Sequence, residues 1–300
     1  MRPIALAAGC LLLAACASGT ATTDTPTATP APRPGEPAPP PPPTGGRGPT
    51  VSFHAVRSAP YRIERHDSLS LQYPGGASQE QVRDRVGFIR LTLAEAAAGE
   101  GYRVSIVLDS LTAVENGVPV PFDSTAAVRG TEWTATLTPS GELQGLRSSR
   151  QSTLGDELTS TLRHLFPRIP PGGVREGMEW SDTSRYELVA DAFPGTETAA
   201  MQYRAAEAEE ASSGSRNAIA LESEGTYTRS GTRLQGEQEL EMTASGTRTG
   251  THSLAVEGTL VSAQGSEAGD MTISVPAVGQ TVPVKQTSRY RINALAAGSP

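Results

Sequence analysis

The chain has 300 residues, with 25 basic and 32 acidic side chains, a formal charge of −7 at neutral pH and only 5% aromatic residues. That balance leaves no basic patch, so nucleic acid is not an expected partner. Both cysteines, Cys10 and Cys16, stand at the very start. Redox chemistry, zinc fingers and cysteine nucleophiles are therefore excluded from the rest of the chain.

Arg2 precedes an almost wholly apolar run, Ile4 to Leu13, and small residues follow. This is the layout of a secretory signal, too short for a membrane span of about 20 residues. The run ends in Leu13-Ala14-Ala15-Cys16, which resembles the bacterial lipobox. The resemblance implies that residues 1–15 are a signal peptide. Cys16 would then be diacylated on sulfur (a palmitate-type modification) and acylated on its new amino group. Cys10 is the weaker match, because Ala7 stands three residues before it and its apolar run is shorter. A secreted protein with an incidental cysteine is the alternative. Ala17 follows the cysteine in place of Asp, which by the known sorting pattern favours the outer membrane where the host has two membranes.

Residues 16–50 read as the lipidated Cys followed by a Pro-, Thr- and Ala-rich disordered tether. The run Pro39–Pro43 can join neither a helix nor a sheet ladder, since proline lacks the N–H and fixes φ. In polyproline II form the 34 residues after Cys16 would reach roughly 100 Å at about 3.1 Å each. Residues 51–300 are then expected to form a β-rich domain, either one body or two halves joined near 150–180.

The dominant signal in that domain is period-2 alternation between Gly- and Ser-rich turns, which predicts antiparallel strands. "YRVSIVLDSLTAV" (102–114) places Val104, Ile106 and Leu108 on one side, and pairs as a hairpin with "QVRDRVGFIRLTLAEA" across Ala98–Gly101. The earlier run also fits a helical period, through Val82, Val86, Ile89 and Leu93; its β-branched and aromatic residues favour a strand. "TEWTATLTPSGELQGL" predicts a second hairpin, turning at Pro139–Gly141. Leu154, Leu158, Leu162, Leu165 and Phe166 form the stripe of one amphipathic helix over about 152–166, capped by Ser152 or Thr153 and ended by Pro167. Beyond Trp180 seven strands follow, near 184–190, 198–210, 217–228, 233–244, 251–263, 269–275 and 281–294. Their turns fall at Ser212–Gly214, Ser230-Gly231 and Ser245-Gly246. The fold class is thus mainly β, an antiparallel meander forming a curved sheet or open barrel with one helix.

"LFPRIPPGGVREGMEWSDT" (165–183) resembles an element of uncharacterised bacterial envelope lipoproteins, in which a helix, a proline-rich link and Val-x-x-Gly-x-x-Trp open a strand. The matching residues are Pro170, Pro171, Val174, Gly177 and Trp180. The resemblance implies architecture and no activity. A curved sheet with a helix on its concave side is also similar to lipoprotein-carrier half-barrels, which hold acyl chains.

Catalytic patterns are absent from the sequence: there is no Gly-x-Ser-x-Gly elbow, Ser-x-x-Lys, phosphate loop or GxGxxG. His54, His66, His164 and His252 are scattered without metal-ligand spacing and read as structural or surface groups. Glu207/Glu209, Glu222/Glu224 and Glu237/Glu239/Glu241 alternate and recur about fifteen residues apart. On adjacent strands they would share one face, either as a calcium site or as a solvated face relieved by Arg204, Arg229, Arg233 and Arg248. The solvated face is favoured, because no Asp-rich binding loop accompanies the ladder. The expectation is a membrane-anchored cell-envelope lipoprotein, a non-catalytic binding or structural module without a cofactor. It would meet the membrane through Cys16 and an unknown envelope protein or amphiphile through its domain. The alternative is a carrier of lipids or other amphiphiles in a groove between sheet and helix, lined by Leu158, Leu162 and Phe166.

Overall fold

Alternation of apolar and polar side chains does become strand throughout the domain. The computed structural model describes residues 42–296 apart from 74, 97–100, 189–192, 208–217 and 237. The signal segment, Cys16, the tether to residue 41, Glu209 and Glu237 lie outside the described residues, as does the side chain of Glu207. One compact unit spans Pro40–Pro300.

Its strands are β1 (Arg47–Val51), β2 (Val56–Gln72), β3 (Ser78–Glu95), β4 (Tyr102–Glu115), β5 (Val118–Pro119), β6 (Glu132–Leu137) and β7 (Leu143–Ser148). They continue with β8 (Val174–Glu176), β9 (Glu179–Leu188), β10 (Gly195–Glu207), β11 (Ala218–Gln235), β12 (Gln238–Ala255), β13 (Leu260–Val275) and β14 (Gln280–Ala294). Two helices, α1 (Phe122–Ala127) and α2 (Thr153–Leu162), interrupt them. The main sheet runs β7-β6-β4-β3-β2-β14-β13-β12-β11-β10-β9, antiparallel throughout, and curls into a half-barrel. β5 pairs with β4, while β1 and β8 form a small separate pair.

The pairing Leu91↔Ile106, with Ile63↔Ile292 and Ala263↔Ile292, stacks apolar residues on the concave face. Tyr61, Ile89, Leu108, Trp133 and Leu137 are buried there as well. α2 lies on this face. Its N-cap Ser152 accepts a hydrogen bond from the Gly155 N–H at 3.0 Å, which satisfies one of the helix's orphan donors. Polar groups then fix its position: Trp133 Nε1–H donates to Thr159 Oγ1 at 2.8 Å, and Arg83 and Arg85 both pair with Glu157. Full burial of Leu158 and of Leu162 contributes about 1.5–3 kcal/mol each.

Several expectations shift. α2 ends at Leu162, four residues before the expected end. The following N–H groups of His164 and Leu165 bond three residues back, to Thr161 and Leu162, which tightens the chain before Pro167. Leu165 and Phe166 are still buried, so the apolar stripe reports packing and overstates helix length. Ser230-Gly231 and Ser245-Gly246 are not turns. Both pairs sit inside β11 and β12, and among the described residues six strands follow residue 178 where seven were expected. A Cβ at Gly246 would come within 2.2 Å of the Ala268 carbonyl oxygen, so glycine here serves close strand approach. The turns are instead at Gly236 and at Glu257-Gly258. The fold also begins before residue 51: Thr44 bridges to Glu179, and β1 pairs with β8.

Candidate functional site

Along β10–β14 and β2, the concave positions nearest the middle of the strands carry charge where apolar residues would be expected. Glu197 on β10 faces Arg229 on β11, Arg248 on β12 faces Glu267 on β13, and Glu267 faces Ser288 on β14, which in turn faces Asp67 on β2. Side chains close the row. Arg248 donates to Glu197 at 2.9 Å and to Glu267 at 2.7 Å, and Arg229 donates to both carboxylates. Ser288 and Arg65 donate to Asp67, and Arg65 also reaches Ser160 and Thr161 on α2. Three guanidiniums thus meet three carboxylates in a belt across six strands.

Burial opposes charge on Arg229 and Arg248, but Glu267 and Glu197 outweigh it, so both guanidiniums are held more firmly protonated than usual. Burial also pushes the Glu267 carboxyl up, and Arg248 and Arg229 overcome this to hold it well below the carboxylate range. His164, 3.7 Å from Glu267, has its pKa lowered by burial and then by Arg248, so it is neutral at pH 7 and makes no ion pair there. His252 Nε2 lies 3.0 Å from the His164 carbonyl oxygen and donates to it, and burial pushes the ring down to about 4. Its Nδ1 is buried without a partner among the described residues. Small residues make room for the belt's neighbours. A Cβ at Gly265 would lie 2.6 Å from the Tyr290 ring, and Tyr290 stacks on His164.

The belt is charge-balanced and tightly filled. The cavities beside it hold only about 40 and 30 Å³, room for ordered water and little more. The groove residues share that tight packing. Leu158, Leu162 and Phe166 are 1%, 0% and 5% exposed, so they fill the space between helix and sheet that the carrier alternative would need as an open groove.

Open space lies instead on the outer face, where a trough of about 720 Å³ crosses β3, β2, β14, β13 and β12. Arg289 and Arg291, two residues apart on β14, stand at its centre, exposed and without a hydrogen-bond or ion-pair partner among the described residues. On one side Arg62 pairs with Glu64 at 2.8 Å and His66 with Asp84 at 2.7 Å. On the other side are Gln264, Ser266, Thr249 and Thr251, with the Ser266 and Thr249 hydroxyls 2.9 Å apart. Counting side chains directed to this face, three guanidiniums stand against two carboxylates on a chain that is acidic as a whole.

The glutamate ladder is not assembled. Glu222 faces Thr251 and Glu224 faces Thr249, whereas Glu241 faces Thr232 and Glu239 faces Leu234, nearer the far end of the same hairpin. All four are exposed, and no group of three or more acidic, His or Cys side chains among the described residues could hold a metal ion. Arg204 does lie across from Glu222, but Arg229 and Arg248 point to the concave face and serve the belt. The ladder's even spacing implied one pairing offset, and the long β11–β12 hairpin imposes another.

No protein-family model matches the chain, and no curated protein matches it. Among solved structures, DynF from the dynemicin biosynthesis pathway of Micromonospora chersina is 12% identical, over 84% of this chain and 87% of that one, with a TM-score of 0.24. The beta domain of the Bordetella autotransporter BrkA is also 12% identical, over 80% of this chain and all of its own, again with a TM-score of 0.24. Likenesses at this level carry no functional inference.

Proposed function

We propose that this chain is a lipid-anchored cell-envelope protein whose β domain is a non-catalytic binding module, using the outer trough as its binding face. The observation that carries the reading is where the space lies. The concave side is occupied by core and by a neutral ionic belt, while the outer trough has the volume of a ligand site and, at its centre, cations with no partner among the described residues. The lipobox-like Leu13-Ala14-Ala15-Cys16 supplies the anchoring half of the proposal. Two or more acyl chains on one residue, at about 0.8 kcal/mol per buried CH₂, hold a protein durably in a bilayer.

Detergent phase partition of the full chain tests the anchor. The native protein is expected in the detergent phase. The Cys16→Ser variant is expected to keep residues 1–15, because the cleavage site is lost, and to carry no acyl groups by intact mass. A Cys16→Ser chain that is processed normally and still enters the detergent phase overturns the anchoring half.

A further inference from the structure

We infer that the outer trough binds a short acidic saccharide, with its acid groups on Arg289 and Arg291 and its hydroxyls over β13 and β12. The inference rests on the trough being the module's binding face, and it names the chemistry that face would take.

The trough lies on a sheet face, where backbone N–H and C=O groups are already committed to neighbouring strands. A peptide cannot add here as an extra strand, since that needs a free edge. Recognition falls to side chains: the guanidiniums of Arg289 and Arg291, the Arg62–Glu64 and His66–Asp84 pairs, the hydroxyls of Thr249, Thr251 and Ser266 and the amide of Gln264, with Val86 the apolar side chain directed to this face. Arg pairs also take acidic peptides, but the hydroxyls and the amide beside Arg289 and Arg291 suit a ligand dense in hydroxyl groups, as a saccharide is.

The charges set the order along the trough. Residues two apart on one strand are about 6.6 Å apart, so Arg289 and Arg291 can each take one acid group in charge-assisted bonds. Neither has to leave an existing partner to do so. Glu64, directly across from Arg291 on β2 and paired with Arg62, and Asp84 on β3 repel further anions, which disfavours a long polyphosphate chain. The β13 and β12 side carries no formal charge among Gln264, Ser266, Thr249 and Thr251, and suits the neutral, hydroxyl-bearing remainder. Five strands at about 4.8 Å spacing give a width of about 19 Å, enough for a few sugar units.

Isothermal titration of the full, detergent-solubilised chain decides the matter, with trigalacturonate as the acidic probe and maltotriose as its neutral counterpart. A phosphorylated maltotriose separates carboxylate from phosphate as the preferred acid. Binding of at least one acidic probe in the micromolar to millimolar range is expected, with maltotriose at least about tenfold weaker. R289Q/R291Q, which alters only exposed side chains, should weaken the acidic probe about tenfold or more, and R289K/R291K should restore part of it. Equal binding of maltotriose, unchanged affinity in R289Q/R291Q, or no binding of either acidic probe overturns the inference. A chain that partitions into detergent but binds neither acid loses this inference and keeps its anchor. One that binds the acid but fails the partition test loses the anchor and keeps the site.

Discussion

Glu197→Gln is expected to destabilise the domain by about 3–5 kcal/mol, the range for breaking a buried ion pair from one side. Glu197 is fully buried, and its two oxygens accept from Arg248 and Arg229. Removing its charge leaves two guanidiniums on Glu267 alone, on a face whose cavities hold room for little more than ordered water. Because a domain of this kind has only about 5–15 kcal/mol in total, the loss should be plain in a urea unfolding curve as a lower midpoint at unchanged slope. The balanced replacement E197L/R229L removes one charge of each sign and leaves Arg248 paired with Glu267. It should cost much less than Glu197→Gln, since apolar substitution of a whole buried pair is often near neutral. If the two variants lose equally, the belt's energetics are not those of charge balance.

The second large effect is in pH. A histidine whose folded pKa is depressed refuses a proton that the unfolded chain accepts. His252 titrates near 6.5 when unfolded and near 4 when folded, because burial would strand a cation whose Nδ1 has no acceptor. Stability should therefore fall as pH drops from about 6.5 towards 4, by roughly 1.4 kcal/mol per unit and about 3 kcal/mol in all from this residue. His164, also held low, acts in the same direction. Glu267 adds to the loss at lower pH. Its stabilisation is present above the unfolded carboxylate pKa near 4.5 and is lost progressively as pH falls below it. His252→Gln keeps a donor for the His164 carbonyl and removes the titration. Unfolding free energies measured between pH 7 and 4 should then slope less steeply by about one proton. Identical slopes would show that His252 is not excluded from protonation in the folded state.

The belt also explains which parts of the fold were legible in the sequence. β3 and β4 could be read because Ile89 and Leu91 alternate cleanly with polar residues and meet Leu108 and Ile106 across the ladder. β2 could not. Its concave positions run Tyr61, Ile63, Arg65, Asp67, and the last two are charged because they complete a buried network. β10 to β13 carry the same interruption at Glu197, Arg229, Arg248 and Glu267. Alternation of hydropathy fails wherever the concave face is ionic, although alternation of side-chain direction continues.

Glycine misled for a related reason. Ser230-Gly231 and Ser245-Gly246 look like turns, yet a Cβ on either glycine would meet a neighbouring backbone carbonyl, at 2.7 and 2.2 Å. A single chain cannot display which of glycine's two uses applies. The outer trough was equally illegible. Arg289 and Arg291 stand in an ordinary polar alternation, and only the curvature of five strands gathers them with residues some 40 positions away on β12. The helix stripe, by contrast, marked Leu158, Leu162 and Phe166 as one apolar face, and all three are buried, although Phe166 lies beyond the end of α2. It could not say whether the space beside them was open.

Native mass spectrometry of the full protein, extracted from membranes in mild detergent, tests the account most directly. A lipid-anchored module with a filled concave face predicts a chain that begins at Cys16, carries covalent acyl groups on that residue, and retains no further lipid once the detergent is stripped. An intact chain from Met1 without acylation would contradict the anchor. A stoichiometric noncovalent lipid that survives detergent removal would contradict the filled interior and restore the carrier.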